Sequence, residues 1–222
     1  EIEHWYKKYG YRRFAFNDDV FNFDKERVKK ICDLIVEKGL KIQWELRNGI
    51  RVDKVDLEMF QKMKKAGCIY IAFGIESGVQ DVLNKMKKGA TVEQIKRAAQ
   101  LAKEAGLPAG GFFIIGLPGD NMENFKQTLK LALELPLEEV RFYSALPYIG
   151  TEFYEIAQKN GWFTMSEEDY QNNIGVWDGQ PVIETPDFTK EERKKALEIG
   201  EKFVMKYISK KEFGPVIGTI AY

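Results

Sequence analysis

The apolar positions of this chain follow two periods in alternation. Short runs dense in β-branched and aromatic residues lie at "YRRFAFN" (11–17), "KIQWELR" (41–47), "CIYIAFGI" (68–75), "GFFIIG" (111–116) and "EVRFYSAL" (139–146), and each reads as a strand. Between them apolar residues recur every three or four positions, as a helix with one buried face requires. Asp24 caps a helix whose inner stripe is Val28, Ile31, Cys32 and Ile35 and which stops at Gly39. Asp56 caps the next, with Leu57, Phe60 and Met63 inward and Gly67 past its end. Thr91 and Gln94 have the spacing of a capping box ahead of Ile95, Ala98, Ala99 and Ala102, with Gly106 as the stop. Asn121 opens a helix toward Glu134, and Thr151 opens one that ends at Gly161.

Strands that alternate with helices form a parallel sheet through right-handed crossovers, either doubly wound or as a (βα) barrel. No Gly-x-Gly-x-x-Gly follows the first strand and no Gly-x-x-x-x-Gly-Lys-Ser/Thr occurs, which disfavours the common nucleotide-binding versions. In both architectures ligands bind where the strands end. The alternation breaks after residue 161: "VWDGQPVIETPDF" is irregular, and Thr189 with Glu192 then caps a long helix running to residue 209. Residues 1–161 are therefore expected to form the sheet-and-helix domain, and residues 162–222 an extension packed on it. The first residues, "EIEHWYKKYG", lack a Met and read as the second half of an amphipathic helix, so an upstream part of the protein is expected to be missing.

Composition narrows the classes. With 44% hydrophobic residues in 222, a sizeable core is expected. Lys plus Arg and Asp plus Glu both number 34, so no global field draws the chain to nucleic acid or an anionic membrane. No apolar run approaches the roughly 18 residues of a spanning helix, and no signal peptide precedes the first helix. A cytoplasmic location is the expectation, consistent with only two cysteines and no disulfide framework. His4 is the only histidine, which excludes a histidine-based triad or a three-histidine metal site. Cys32 reads as core on its helix face. Cys68 begins its strand, on the order of 25 Å from Glu76 at the usual rise, so neither thiol is placed to join a metal cluster at the strand ends.

Those ends carry the candidate chemistry. After the first strand, "NDDVFNFD" places Asp18 and Asp19 where an acid can hold a cationic group, or where an acid-rich loop simply precedes a capped helix. After the second, "NGIRVD" presents Asn48, Arg51 and Asp53; the arginine suits a carboxylate or phosphate, or pairs with a neighbouring aspartate. The third strand ends "GIESG", where Glu76 can accept from ribose hydroxyls or an ammonium, or can cap the short helix near Val79. The fourth ends "GFFIIGLPGDN", a buried run stopped by two glycines and a proline with an acid behind them. That is either punctuation or clearance for a ligand against the backbone. The fifth ends in the similar "SALPYIGTE".

In this order the motifs resemble the radical S-adenosylmethionine (SAM) enzymes, in particular the Fe–S oxidoreductase group often associated with an upstream cobalamin-binding domain. The resemblance runs through "FNDDVFNFDKERVKKICDLI", "RVDKVDLEMFQKMKKAGCIYIAFGIESGVQDVLNKMKKG", "TVEQIKRAAQLAKEAGL", "GFFIIGLPGDNMEN" and "LPYIGTEFYE". It implies a partial, TIM-like (βα)6 barrel of which strands two to six are present here. It also implies that Asp18 and Asp19, standing where many relatives have Gly-Gly-Glu, face the methionine amino group. Glu76 and Ser77 would face the ribose and methionine part, and Arg51 the methionine carboxylate. Ile115, Gly116, Leu117, Pro118 and Gly119 would lie beside adenine, as would Leu146, Pro147 and Tyr148.

The family's Cys-x-x-x-Cys-x-x-Cys loop, whose three thiolates hold a [4Fe–4S] cluster, is absent from this chain. The resemblance thus implies the downstream part of a SAM-cleaving enzyme, inactive by itself. Its implied partners are the missing N-terminal part, an electron donor and a substrate that the residues do not identify. The alternative is a cluster-free barrel serving as a binding or interaction module. In the fragment reading, absence of the first strand leaves the strand at 11–17 as the sheet edge, expected to be covered by a second copy of the chain or by the apolar "FGPVIGTIAY".

Overall fold

The computed structural model describes residues 1–173 and 180–220. Strands β1 (Arg13–Ala15), β2 (Gln43–Ile50), β3 (Cys68–Glu76), β4 (Ala109–Ile115) and β5 (Glu139–Ser144) form one open parallel sheet in chain order. A doubly wound sheet reverses its strand order at a switch point, whereas a barrel-type unit steps each crossover to the next neighbour. The sequential order selects the TIM-like arrangement.

The helices are α1 (Ile2–Tyr9), α2 (Lys25–Glu37), α3 (Leu57–Lys65), α4 (Gln80–Lys85), α5 (Val92–Glu104), α6 (Met122–Glu134), α7 (Glu152–Lys159), α8 (Glu167–Asn173) and α9 (Lys190–Ile220). Their starts follow the expected caps. Asp24 accepts from the amides of Glu26 and Arg27, and Asp56 from that of Met59. Thr91 and Gln94 close a reciprocal capping box, as do Thr189 and Glu192.

Boundaries moved where tertiary structure intervenes. The second strand runs on to Ile50 because it bulges between Leu46 and Ile50, with Gly49 at φ 94°. The first shrinks from the expected 11–17 to three residues paired only with β2. Helix α9 continues past residue 209 to Ile220. In the irregular stretch, residues 176–179 lie outside the described residues. Downstream, Ile183 bridges Phe163 and Phe188 bridges Thr185, both antiparallel.

The chain forms two compact units. The first comprises Glu1–Ile75, Ala90–Phe112 and Leu133–Glu139; the second comprises Glu76–Gly89, Phe113–Ala132 and Val140–Tyr222. In the first, α2 packs on α3, and the fully buried Trp44 stacks on Phe16 at 4.8 Å and donates its indole N–H to the Ala66 carbonyl at 2.9 Å. In the second, Ile115, Phe125, Phe188 and Ala196 form a core cluster joined by the partly buried Phe142, whose ring stacks on Phe113 at 5.1 Å. No strand pairs with the outer side of β1 among the described residues. The expected cover, "FGPVIGTIAY" at 213–222, has its side chains outside the described residues. No helix among the described residues is long and apolar enough to cross a membrane.

Candidate functional site

In the first unit, Asp18 and Asp19 are exposed after β1, with Asp18 Oδ1 3.7 Å from the Arg27 guanidinium. The loop holding them is anchored by Asn22, which is fully buried. Its amide donates to the carbonyls of Arg51 (2.8 Å) and Lys54 (2.9 Å), and its carbonyl accepts from the Arg51 amide (2.9 Å). Asn22 thus ties the loop after β1 to the loop after β2, a role that nothing in its flanking sequence announced. Arg51 lies half-buried with its fork on Asp53, Nε to Oδ1 at 2.9 Å and Nη2 to Oδ2 at 3.0 Å. This is the ion-pair alternative, and the hydrogen bonds to Asp53 raise the guanidinium's pKa.

Both cysteines are buried, and burial pushes each thiol up to about 12. Cluster ligation needs thiolates. Two protonated core thiols, one on α2 and one at the start of β3, do not fit a three-thiolate cluster. Among the described residues no group of three or more His, Cys, Asp or Glu side chains could hold a metal ion.

In the second unit, Glu76 closes β3 at φ 68°, a left-handed conformation that non-glycine residues seldom adopt. Its carboxylate meets Lys88 Nζ at 2.6 Å, and both side chains are largely withdrawn from solvent. The N-cap position of α4, Val79, has no side-chain cap. Instead the buried Ser77 hydroxyl accepts from the Val79 amide at 3.1 Å, and the Gly78 amide donates to Thr128 Oγ1 at 3.0 Å. A Cβ on Gly78 would stand 2.8 Å from the Thr128 Cα, so this glycine lets α6 approach the strand end.

The end of β4 is built as a tight turn. The Leu117 carbonyl accepts from the Asp120 amide at 2.9 Å. Pro118 and Gly119, the latter at φ 77°, fill the central positions in the manner of a type II turn. Asp120 is buried and accepts from the amides of Gly116 (2.8 Å) and Asn121 (2.9 Å), while Asn121 caps α6 through the Asn124 amide. Burial pushes the Asp120 carboxyl up to about 6, opposed by those two hydrogen bonds and by the charge of Arg193. Ile115 and Leu117 are buried; Pro118 and Gly119 are half-buried. Leu117 packs with Val82 and with Ala145, the residue after β5.

Gly116 sits at φ 88°, and the space where its Cβ would be is taken: Arg193 Nη1 lies 1.9 Å from that point. The same nitrogen donates to the Gly116 carbonyl at 2.8 Å, and Arg193 Nε donates to the Phe188 carbonyl at 2.8 Å. Burial pulls this arginine down to about 10. The glycine thus clears space first for a side chain of the same chain.

After β5, Leu146 is half-buried, Pro147 buried and Tyr148 exposed. The Pro147 carbonyl accepts from the buried Tyr170 hydroxyl, and the Tyr148 carbonyl from Thr151 Oγ1 at 2.6 Å. Lys88, Tyr170 and Arg193 were not singled out from the sequence. For Arg193 a signal existed: Arg193, Ala196 and Gly200 share one helical stripe, and all three are buried. An arginine in line with small core-facing residues marks a buried cation.

Residues 1–132 match the Radical SAM superfamily. The chain is 34% identical over 198 residues to an uncharacterized methyltransferase of Pyrococcus horikoshii, covering 89% of this chain and 41% of that protein. It is 28% identical over 192 residues to the cytidylyl-2-hydroxyethylphosphonate methyltransferase of Streptomyces wedmorensis, covering 80% of this chain and 36% of that one. It therefore spans about two fifths of the length of these relatives. Its fold is similar to that of the radical SAM methyltransferase TsrM of Kitasatospora setae, solved with cobalamin and a [4Fe–4S] cluster bound. There the TM-score is 0.65 at 19% identity, over 75% of this chain and 34% of TsrM.

Proposed function

The chain belongs to the radical SAM superfamily, and we propose that it supplies the SAM-binding strand ends of an enzyme that reductively cleaves SAM in the course of methyl transfer. The observation that carries the reaction class is its 34% identity, over 89% of its length, to an uncharacterized methyltransferase. The second methyltransferase relative supports the same class. The strand ends are suited to the role, with Glu76 half-buried at the end of β3 and the Gly116–Asp120 turn at the end of β4.

A bound cluster would supply one electron to the SAM sulfonium, giving methionine, which keeps its methyl group, and a 5′-deoxyadenosyl radical; the methyl group transferred would come from a second SAM, leaving S-adenosylhomocysteine. The two buried thiols of this chain do not fit that cluster, so its ligands are assigned to polypeptide outside these 222 residues. Cobalamin, present in the TsrM structure, is assigned outside them as well. What these residues contribute is position. In this reading Glu76 accepts hydrogen bonds from the ribose or the ammonium of SAM, and the turn at 115–119 lays its backbone beside adenine. The residues at 146–148 flank the adenine from the next strand.

The test uses the full-length protein, reconstituted anaerobically with iron, sulfide and cobalamin and supplied with SAM and a reductant. Consumption of SAM with release of methionine and 5′-deoxyadenosine is the expected result. SAM left intact by a protein with a fully loaded cluster would overturn the reading.

A further inference from the structure

The segment after residue 161 reaches back to two successive strand ends with buried donors. Arg193, 2% exposed, donates to the Gly116 carbonyl after β4, and Tyr170, also 2% exposed, donates to the Pro147 carbonyl after β5. Each carbonyl belongs to an irregular turn, where the sheet no longer supplies a donor. The Arg193 contact is more than a single bond. The guanidinium lies over the Phe188 ring at 4.9 Å, donates to the Phe188 carbonyl, and occupies the site a Gly116 side chain would need. The same turn is gripped from its other side by Asp120, whose carboxylate accepts from the Gly116 amide. Gly116 therefore has its N–H and its C=O fixed by two buried ionisable side chains, one from the turn and one from α9.

Tyr170 sits among Tyr154 and Phe163, with ring centroids at 6.0 and 4.7 Å, and this packing aims its hydroxyl at Pro147. Burial pushes that phenol up to about 12, so it remains a donor throughout the working pH range. Both donors lie beyond residue 132, where the match to the superfamily ends.

From these two contacts we infer that Tyr170 on α8 and Arg193 on α9 form a clamp on the ligand face, as positioning residues that hold the turns after β4 and β5 in the shape that receives a nucleoside. The assignment of the ligand rests on the function proposed above; the clamp itself rests on the geometry. Neither residue needs to touch the ligand. Freed from Arg193, Gly116 regains the broad conformational range of an unsubstituted residue, and the turn that follows loses its fixed start.

The test compares the parent with Arg193→Met, Arg193→Lys and Tyr170→Phe in the full-length, cluster-loaded protein. Amide exchange, read by mass spectrometry, is expected to quicken by about tenfold or more at the amides of Gly116, Asp120 and Asn121 in Arg193→Met and at the Thr151 amide, which donates to the Tyr148 carbonyl, in Tyr170→Phe, a change that corresponds to losing one well-placed buried bond. Exchange in β2 should not move. Calorimetry is expected to give SAM and 5′-deoxyadenosine affinities weaker by roughly the same factor in Arg193→Met, with partial recovery in Arg193→Lys. Binding of methionine, which carries no nucleoside, should be unchanged, a selectivity that general loosening of the fold would not produce. Tyr170→Phe removes a single oxygen and keeps the comparison valid if Arg193→Met fails to fold. Unchanged exchange at the two turns, or altered exchange with SAM affinity within about twofold of the parent, would overturn the clamp while leaving the proposed function standing. A parent that loads its cluster and binds no SAM would overturn the proposed function, and this role of the clamp with it.

Discussion

Gly116 concentrates several demands on one residue. Its φ of 88° and the guanidinium in its Cβ position both require glycine. Gly116→Ala adds backbone strain of about 1 kcal/mol and an overpacking cost of about 1–3 kcal/mol, so chemical denaturation should register a loss of roughly 2–4 kcal/mol. Asp120 makes a pH prediction. Its folded carboxyl titrates near 6 rather than 3.8, so the stability it contributes is fully present below about pH 4 and is lost as pH rises through 6. Asp120→Asn removes the titration. The stability advantage of the parent over that variant should therefore shrink by roughly 2–3 kcal/mol between pH 4 and pH 8. Denaturation at several pH values checks this, and an advantage that grows with pH would contradict it. For Glu76, loss of a charge-assisted hydrogen bond in Glu76→Gln should weaken SAM binding by roughly 1.5–3 kcal/mol in the cluster-loaded full-length protein. Calorimetry on a variant that retains its iron decides it.

Among the described strands, β1 is an edge of the open sheet, paired with β2. Only three residues pair, and beside them lies a groove of about 480 Å³ whose walls include Trp5, Tyr11, Phe14 and Phe16. An unpaired strand next to apolar walls invites pairing, and the arginines at 12 and 13 protect only its start. Light scattering is expected to find the 222-residue chain associating, with slow amide exchange along 11–17. A monomer with fast exchange there would show that the edge is tolerated. At this scale the sequence was most readable where local chemistry decides the outcome. Asp24, Asp56 and the Thr91–Gln94 pair stand at helix starts because a side-chain oxygen must meet amides that no carbonyl reaches. Strand limits were less readable, since they depend on neighbours: β2 lengthens through its bulge, and β1 shortens where only one side is paired.

For the molecule as a whole, a parallel sheet followed from the alternation of elements and its TIM-like order from the family resemblance, but the contacts that shape the strand ends followed from neither. Arg193 reaches Gly116 across 77 positions in the sequence, and only its place in a stripe of small buried residues hints at the burial. Asn22 meets Arg51 across 29 positions with no pattern to mark it. Glu76 and Ser77 could be picked out because they stand at a strand end between glycines, whereas the Lys88 partner of Glu76 lies in an ordinary basic run. The central claim is a division of labour, in which these residues carry the nucleoside side of the site and the cluster thiolates come from elsewhere. Iron and sulfide analysis after anaerobic reconstitution, on the 222-residue chain and on the full-length protein in parallel, tests it most directly. The account predicts no stoichiometric cluster and no SAM cleavage for the chain, and both for the full-length protein. A stoichiometric cluster on the 222 residues, with a SAM-dependent change in its spectrum, would contradict it.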